Sequence, residues 1–236
     1  IRIVEADEAA ETLAILSHGD IDIAFIDIVL HGDTGINVVD TAKQRGFKPF
    51  LIMTAGTVLP NWAMVATEAV AYEFLKKPYA AEDILNVVAV YRRMKTPTPI
   101  LLADSSPNGR NVVRKIIQAG QFRCEIDETD NGPEALKMVR QKTYDLALVD
   151  IGLYGMSGLE AGCQLKSRSG DMAVVLMLPQ SDTVLAGCLK HFGLDHALMK
   201  PFFSRDIDVM MHKVFGLRRP YLMNAMLRAE KQALAG

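Results

Sequence analysis

The sequence predicts two α/β domains in tandem, each built on a parallel β-sheet that helices cover on both faces. The first observation is an internal repeat, in which related residues recur at a fixed separation of 123 positions. The second is an alternation, inside each copy, of short apolar runs with helical patterns. Such runs are typical of buried parallel strands, and their alternation with helices indicates a doubly wound sheet.

The repeat is most evident in two apolar segments that both carry an acid at the end of the run, IDIAFIDIVL at 21–30 and YDLALVDIGL at 144–153. The same separation holds without a gap across the matched positions. It relates Asp7 to Asp130, Glu11 to Glu134, Leu13 to Leu136, Asp22 to Asp145, Asp27 to Asp150, Gly35 to Gly158, Leu75 to Leu198, and Lys77-Pro78 to Lys200-Pro201. A constant spacing of this length indicates two copies of one domain.

The elements within each copy follow from local pattern. Apolar runs predict strands at 21–26, 50–53, 100–103, 145–149 and 173–178. Apolar residues three and four positions apart predict helices in EAAETLAILSHG, PEALKMVRQ and AEDILNVVAVYRRM. The segment KTPTP at 95–99 predicts an extended linker, because proline disfavours helix in the residue before it. We therefore predict domains at 1–96 and 97–217, and a helical tail or linker at 218–236.

Composition narrows the class of protein. Half of the 236 residues are hydrophobic and 23% are charged, which is typical of a soluble globular protein. The formal net charge of −2 gives no electrostatic reason to expect nucleic acid or an anionic membrane as a partner. The three cysteines suit neither a disulfide framework nor a zinc site. With no signal peptide or membrane span visible, we expect a cytoplasmic protein.

Three polar residues of the first copy stand where strands end. Asp27 closes one apolar run, Thr54 follows the strand FLIM, and Lys77 follows FLK. The carboxyl ends of parallel strands lie side by side, so we expect these residues to share one pocket. A carboxylate beside an ammonium stays ionised and can attack phosphorus, as the nucleophilic carboxylates of aspartyl-phosphate enzymes do. The spacing therefore indicates an aspartyl phosphate site.

These residues resemble the receiver domain of response regulators in two-component signalling. The resemblance rests on the terminal acid Asp27, on MTA at 53–55 and on FLKKP at 74–78, and in the second copy on ILLADSSPNGR, TDNGPEAL and LMKPF. It implies five-stranded sheets in the flavodoxin-like order 2-1-3-4-5. It further implies phosphoryl transfer to Asp27 from a histidine kinase or histidine phosphotransfer protein. Both Lys-Pro bonds are implied to be cis.

The resemblance also implies a magnesium requirement and a switch residue. Mg²⁺ would be held in the first copy by Asp27 and the backbone carbonyl of Val29, and in the second by Asp104 and Asp150. Phe74 stands at the position of the aromatic residue that family members reorient on phosphorylation.

The second copy departs from the family's pattern around the acid. The two neighbouring acids that hold the metal in the family are here Asp104 and Ser105, so one carboxylate is lost. Met177, or Leu178 if the strand slips by one residue, replaces Thr54, and Ala197 replaces Phe74. Asp150 and Lys200 are retained. We expect a degenerate receiver that serves mainly as an adaptor or dimerisation module.

The first copy has no counterpart of the family's first strand and helix in this sequence, because a shift of 123 positions places them before Ile1. Either the natural protein supplies that segment, which we expect, or the domain recruits a strand from elsewhere.

Other functions stay open at this stage. The chain could be a pair of receiver-like folds that never carry phosphate, or the receiver end of a hybrid histidine kinase. A phosphatase with an aspartate nucleophile is disfavoured, because Val29 and Gly152 stand where such enzymes carry a second acid. The tail could dimerise the protein, as a homodimer, or lead to an output domain such as a diguanylate cyclase.

Overall fold

A computed structural model of the chain describes residues 1–47, 49–57, 71–194 and 196–220. These residues fall into two compact units, one that includes Ile1–Tyr91 and one that comprises Arg92–Leu217. The predicted division after residue 96 stays a prediction. The part of the predicted helical tail that follows Pro220 lies outside the described residues.

The elements of the first unit are helices α1 (Ala9–Ser17) and α2 (Gly35–Gln44) and strands β1 (Ile23–Asp27), β2 (Phe50–Ala55) and β3 (Glu73–Lys76). Helix α3 (Ala81–Lys95) contains the boundary between the units. The second unit contains strands β4 (Thr98–Ala103), β5 (Cys124–Thr129), β6 (Leu146–Asp150), β7 (Ala173–Pro179) and β8 (His196–Lys200). Its helices are α4 (Pro107–Gln118), α5 (Gly132–Gln141), α6 (Gly158–Arg168), α7 (Thr183–Cys188) and α8 (Ser204–Val214).

The five strands of the second unit form a parallel sheet in the order β5-β4-β6-β7-β8. Counted within the unit, this is the predicted order 2-1-3-4-5. Successive residues of β6 are fully buried although their side chains alternate between the two faces of the sheet. Helix α4 contacts α8, and α5 contacts α6. Both faces of the sheet are therefore covered, which explains why the central strands are apolar throughout.

In the part of the first unit that the structure describes, a parallel sheet has three strands in the order β1-β2-β3. Residues 1–6 correspond through the repeat to β5, yet they are not a strand. In the second unit β5 pairs only with β4, the unit's first strand in sequence. The repeat places the counterpart of β4 before Ile1, so that strand lies outside the described residues. Ile1 and Ile3 are accordingly exposed.

Helices α2, α4, α5 and α6 each begin at a residue whose side chain accepts a hydrogen bond from the first turn. Such a cap satisfies a backbone N–H that has no partner within the helix. The pairs are Thr34 with the N–H of Asn37, Ser106 with that of Gly109, Asn131 with that of Glu134, and Ser157 with that of Glu160. These caps fix where α2, α4, α5 and α6 leave the ends of the preceding strands or loops.

The edge strand β5 has a polar sequence, CEIDET, that the apolar pattern does not mark as a strand. Its charged residues form ion pairs on both faces. Glu128 pairs with Arg114 at 2.5 Å. Asp127 accepts hydrogen bonds from Lys142 at 2.7 Å and from the hydroxyl of Tyr144 at 2.8 Å. These two hydrogen bonds lower the pKa of Asp127 below its usual value.

Two predicted boundaries differ from the structure. Helix α3 continues to Lys95 and β4 begins at Thr98, so the predicted linker at 95–99 is largely absorbed into these elements. Pro99 lies near the start of β4, where a missing N–H is tolerated.

The Lys77-Pro78 and Lys200-Pro201 peptide bonds are both cis, as expected. Within the described residues, no helix is both long enough and apolar enough to span a membrane.

Candidate functional site

In the first unit, the structure brings together the three polar residues that the sequence placed at strand ends. Asp27 is the last residue of β1 and lies beside Thr54 of β2 in the register of the sheet. Lys77 directly follows β3, and its N–H donates a hydrogen bond to the carbonyl of Ala55 at 2.8 Å. The ammonium of Lys77 is 2.5 Å from Oδ2 of Asp27. A carboxylate, a hydroxyl residue and a cation therefore share one edge of the sheet.

Burial separates these residues into two groups. The side chains of Asp27 and Lys77 are 27% and 43% exposed, so a reactant in solvent can reach the carboxylate. Thr54 and Phe74 are buried, at 3% and 6% exposure. Phe74 packs in the hydrophobic core of the first unit. The acid and the lysine thus form an open site, while the hydroxyl residue and the aromatic lie beneath it.

The backbone after Asp27 is held by close packing at Gly35. The N–H of Ile28 donates to the carbonyl of Thr54 and the N–H of Gly35 to that of Ile28, both at 2.9 Å. A Cβ on Gly35 would lie 2.0 Å from the carbonyl oxygen of Asp27, far inside van der Waals contact. Only glycine fits there, so Gly35 fixes the approach of α2 to the acid. The sequence showed that Gly35 and Gly158 are related, but it did not show this packing role.

The second unit has the same arrangement with different chemistry. Asp150 ends β6 and lies beside Met177 of β7, so Met177 and not Leu178 takes the position of Thr54. Met177 is fully buried and offers no hydroxyl. The ammonium of Lys200 donates to both Asp150 and Asp104, at 3.1 Å from Oδ2 of Asp104. The second unit thus pairs one lysine with two carboxylates.

The environment of Lys200 is also more enclosed. Its side chain is 35% exposed, and the side chains of Asp104 and Asp150 are only 4% and 16% exposed. Burial acts to lower the pKa of Lys200, but the hydrogen bonds to Asp150 and Asp104 outweigh it and the net shift is upward. Lys200 therefore stays charged at neutral pH.

The oxygen ligands for a hard cation are few in both units. Mg²⁺ prefers octahedral oxygen coordination that includes one or two carboxylates. In the first unit Asp27 supplies a carboxylate and Val29, which is 72% exposed, a nearby backbone carbonyl. In the second unit Asp104 and Asp150 supply carboxylates. Across the described ranges, no group of three or more His, Cys, Asp or Glu residues is arranged to hold a metal ion.

Comparison with protein families identifies the repeated domain. The profile of the response regulator receiver domain matches residues 1–89 and again residues 100–214. The chain belongs to the response regulator receiver family. Each unit of the structure is therefore a receiver unit, and the two copies detected in the sequence correspond to the two matched segments.

Curated relatives match stretches of this chain that are about half its length or shorter. A Pseudomonas aeruginosa protein that is named as a transcriptional regulator is 37% identical over 87 residues, which are 37% of this chain and 42% of that protein. The nitrate/nitrite response regulator NarL of Escherichia coli is 28% identical over 118 residues, which are 50% of this chain and 54% of NarL. This chain thus aligns with roughly half or less of the length of these relatives.

Two of the solved structures similar to this chain match most of its length, and one of them illustrates the similarity. It is the crystal structure of a two-component system response regulator/GGDEF domain protein, with a TM-score of 0.58 and 17% identity. The match covers 92% of this chain and 88% of that chain. At this level of identity the similarity supports the tandem receiver fold.

Proposed function

We propose that the first receiver unit accepts a phosphoryl group on Asp27 in a two-component phosphorelay, and that the second unit serves as an adaptor or dimerisation module. The observation that carries the proposal is the open pair of Asp27 and Lys77, with an Nζ–Oδ2 distance of 2.5 Å, at the edge where Thr54 lies beside the acid. The donor would be a histidine kinase or a histidine phosphotransfer protein.

The proposed reaction uses Asp27 as the nucleophile. The ammonium of Lys77 lies 2.5 Å from Oδ2 of this carboxylate. A carboxylate oxygen of Asp27 forms the new bond to phosphorus while the phosphorus–nitrogen bond to the donor histidine breaks. The leaving imidazole takes a proton from solvent. Lys77 then lies close enough to bind an oxygen of the transferred group and offset its added negative charge.

Thr54 and Phe74 would convert phosphorylation into a change of surface. The Thr54 hydroxyl can hydrogen-bond an oxygen of a phosphoryl group on Asp27, because the two residues are neighbours in the sheet. Its movement would free space in the core for the ring of Phe74, which is buried in the structure. We propose that this coupled movement is the switch of the first unit.

Magnesium would be held in the first unit by the carboxylate of Asp27 and the carbonyl of Val29. Bound Mg²⁺ would neutralise the charge that develops on the phosphoryl oxygens during transfer. Both residues lie at the mouth of the site, where Val29 is 72% exposed and solvent can complete the coordination sphere. The family's neighbouring acid pair has no counterpart in this sequence for the first unit.

The adaptor role of the second unit follows from two substitutions. Met177 lies beside Asp150 and cannot donate a hydrogen bond to a phosphoryl group. Ala197, at the position of Phe74, has no ring to reorient. Without the hydroxyl and the aromatic ring, phosphorylation of Asp150 would not change the surface of the second unit. A fixed surface suits constitutive contact with a partner protein or with a second copy of the chain.

Labelling of single-site variants tests the proposal. In the full-length protein encoded by the gene, incubation with radiolabelled acetyl phosphate and Mg²⁺ should attach about one acid-stable, base-labile label per chain. Asp27→Asn should abolish the label, and Asp150→Asn, as the matched control, should retain it. Label that survives in Asp27→Asn and disappears in Asp150→Asn would reverse the assignment of the two units.

A phosphoryl mimic tests the division of roles. Beryllofluoride with Mg²⁺ should shift the amide signals of Thr54, Phe74 and Lys77 and leave residues 170–205 largely unchanged. Saturable shifts of the amide signals of residues 170–205 would refute the adaptor role of the second unit.

A further inference from the structure

Ser105 makes contacts in the second unit that the family's acid at this position would not make. Its hydroxyl oxygen is 3.0 Å from the carbonyl oxygen of Gly152 and 3.1 Å from that of Asp130. These carbonyls belong to the loops that follow β6 and β5, and Ser105 itself follows β4. A hydroxyl can donate to such carbonyls, whereas an ionised carboxylate could only repel them. With its single proton shared between these two carbonyls, Ser105 links three loops around the acidic pocket.

The carbonyl of Gly152 gives this link its significance. Gly152 follows Asp150 by two positions, as Val29 follows Asp27. It therefore stands where the first unit presents its candidate carbonyl ligand for Mg²⁺. In the second unit that oxygen accepts a hydrogen bond from within the chain.

The carboxylate oxygens of the pocket also have donors from the chain. Oδ1 of Asp104 accepts from the N–H of Ser106 at 2.8 Å, and Oδ1 of Asp150 accepts from the N–H of Gly152 at 2.9 Å. The Oδ2 atoms of both acids accept from Lys200. Asp27 of the first unit has partners of the same kind, since its Oδ1 accepts from the N–H of Val29 at 3.3 Å and its Oδ2 accepts from Lys77. The second pocket differs in two ways: the carbonyl of Gly152 is bonded to Ser105, and one lysine is shared between two acids. With one family acid replaced by a serine and these contacts in place, the second pocket does not fit a magnesium site.

We propose that Ser105 makes the acidic pocket of the second unit a metal-independent joint, in which its hydroxyl and the ammonium of Lys200 take the place of Mg²⁺. This inference deepens the proposed adaptor function and rests on it. A metal ion would have to break the contact between Ser105 and Gly152 and displace Lys200 from the buried Asp104 and the partly buried Asp150. In exchange it would gain only two carboxylates, one of them nearly inaccessible to solvent.

Paramagnetic Mn²⁺, with no phosphodonor present, tests the inference in the full chain carrying Asp27→Asn. Bound Mn²⁺ broadens nearby amide signals, so Ser106 and Gly152 report on the second pocket. We expect no saturable broadening at these two amides in this background. Adding Ser105→Asp should restore the missing carboxylate and produce saturable broadening, with an affinity at least about tenfold higher.

Ser105→Ala distinguishes the effect of the Ser105 hydroxyl from the effect of the missing carboxylate. It removes the link between the loops but adds no ligand, so Mn²⁺ binding should remain absent. Loss of one hydrogen bond should increase hydrogen exchange at the Gly132 amide, which bonds to the carbonyl of Tyr154 at 3.1 Å, by about fivefold. Ser167→Ala, which removes an exposed hydroxyl of α6 in the same unit, is the matched control and should leave this exchange unchanged.

Three results would overturn the inference. They are saturable Mn²⁺ broadening at Gly152 with Ser105 intact, no gain of metal in a folded Ser105→Asp variant, and unchanged exchange in Ser105→Ala. The first and third need only chains that keep or truncate Ser105, so they decide the question even if the aspartate variant fails to fold. If this inference fails, the proposal that Asp27 is phosphorylated is unaffected, because labelling of the first unit is measured separately.

Discussion

The two lysines that follow the last strand of each unit should differ in their contribution to stability. Lys77 pairs with one carboxylate at a site where both side chains are partly exposed. Lys200 contacts two acids, and the side chain of Asp104 is only 4% exposed. Replacing each lysine with methionine keeps an apolar stem and removes the ammonium group. The comparison therefore measures the combined effect of deeper burial and of the second carboxylate.

The magnitudes follow from that difference. Removal of one partner from a fully buried ion pair costs about 3–5 kcal/mol, because the other charge is left unpaired. Since 35% of the Lys200 side chain is exposed and water screens the pair, we expect Lys200→Met to destabilise the second unit by about 2–3 kcal/mol. Lys77→Met should cost the first unit below about 1 kcal/mol, which is typical of exposed pairs.

Native-state hydrogen exchange resolves the two units within one chain. A loss of about 2–3 kcal/mol should reduce protection of peptides that cover β6 and β7 by a factor of roughly 30 to 150. Peptides that cover β1 and β2 should change by less than about fivefold in Lys77→Met. Protection would be measured for each variant and for the wild type at the same pH.

Two controls test whether the loss of stability in Lys200→Met comes from the unpaired carboxylate charge. Adding Asp104→Asn to Lys200→Met should recover part of the protection, because one of the two carboxylates is then neutral. The deficit of Lys200→Met should also shrink as pH falls, since a carboxylate that has lost its ammonium binds a proton more readily in the folded state. Equal losses in Lys77→Met and Lys200→Met would refute the reasoning.

Three further predictions address glycine packing, pH and the second acid. Gly158→Ala should destabilise the second unit by about 1–3 kcal/mol in urea unfolding, because the added Cβ would lie 2.0 Å from the carbonyl oxygen of Asp150. Gly170→Ala is the control, since the space around its Cβ is open, and its stability should be within about 0.5 kcal/mol of wild type. Wild type should be more stable than Asp127→Asn above the ordinary carboxyl pKa of about 4. This difference in stability should vanish as pH falls through the lowered pKa of Asp127, and thermal unfolding at a series of pH values measures it. Asp150→Asn should leave oligomeric state by light scattering and signalling by a reporter near wild type, because Lys200 retains Asp104 as a partner; loss of either would count against the adaptor role.

Much of the architecture could be predicted from sequence, because it depends on local pattern. Apolar runs marked strands, of which β2, β6 and β7 are buried on both faces whereas β1 leaves Phe25 exposed, and a constant separation marked the duplication. The positions of Asp27, Thr54 and Lys77 at strand ends were enough to place them together, since parallel strands bring their carboxyl ends to one edge of a sheet. The polar edge strand β5 escaped this reasoning, because its alternating charges are satisfied by ion pairs instead of by burial.

What the tertiary structure alone decided depends on contacts between distant residues. The register between β6 and β7 selected Met177 over Leu178 as the neighbour of Asp150, because a slip of one residue sends a side chain to the opposite face. Lys200 was expected near Asp150, but its sharing between Asp150 and Asp104, which is 96 positions away, required folded coordinates. The sequence marked Ser105 only as a missing acid. Its hydroxyl reaches Gly152, 47 positions away, because the ends of β4 and β6 are adjacent in the sheet.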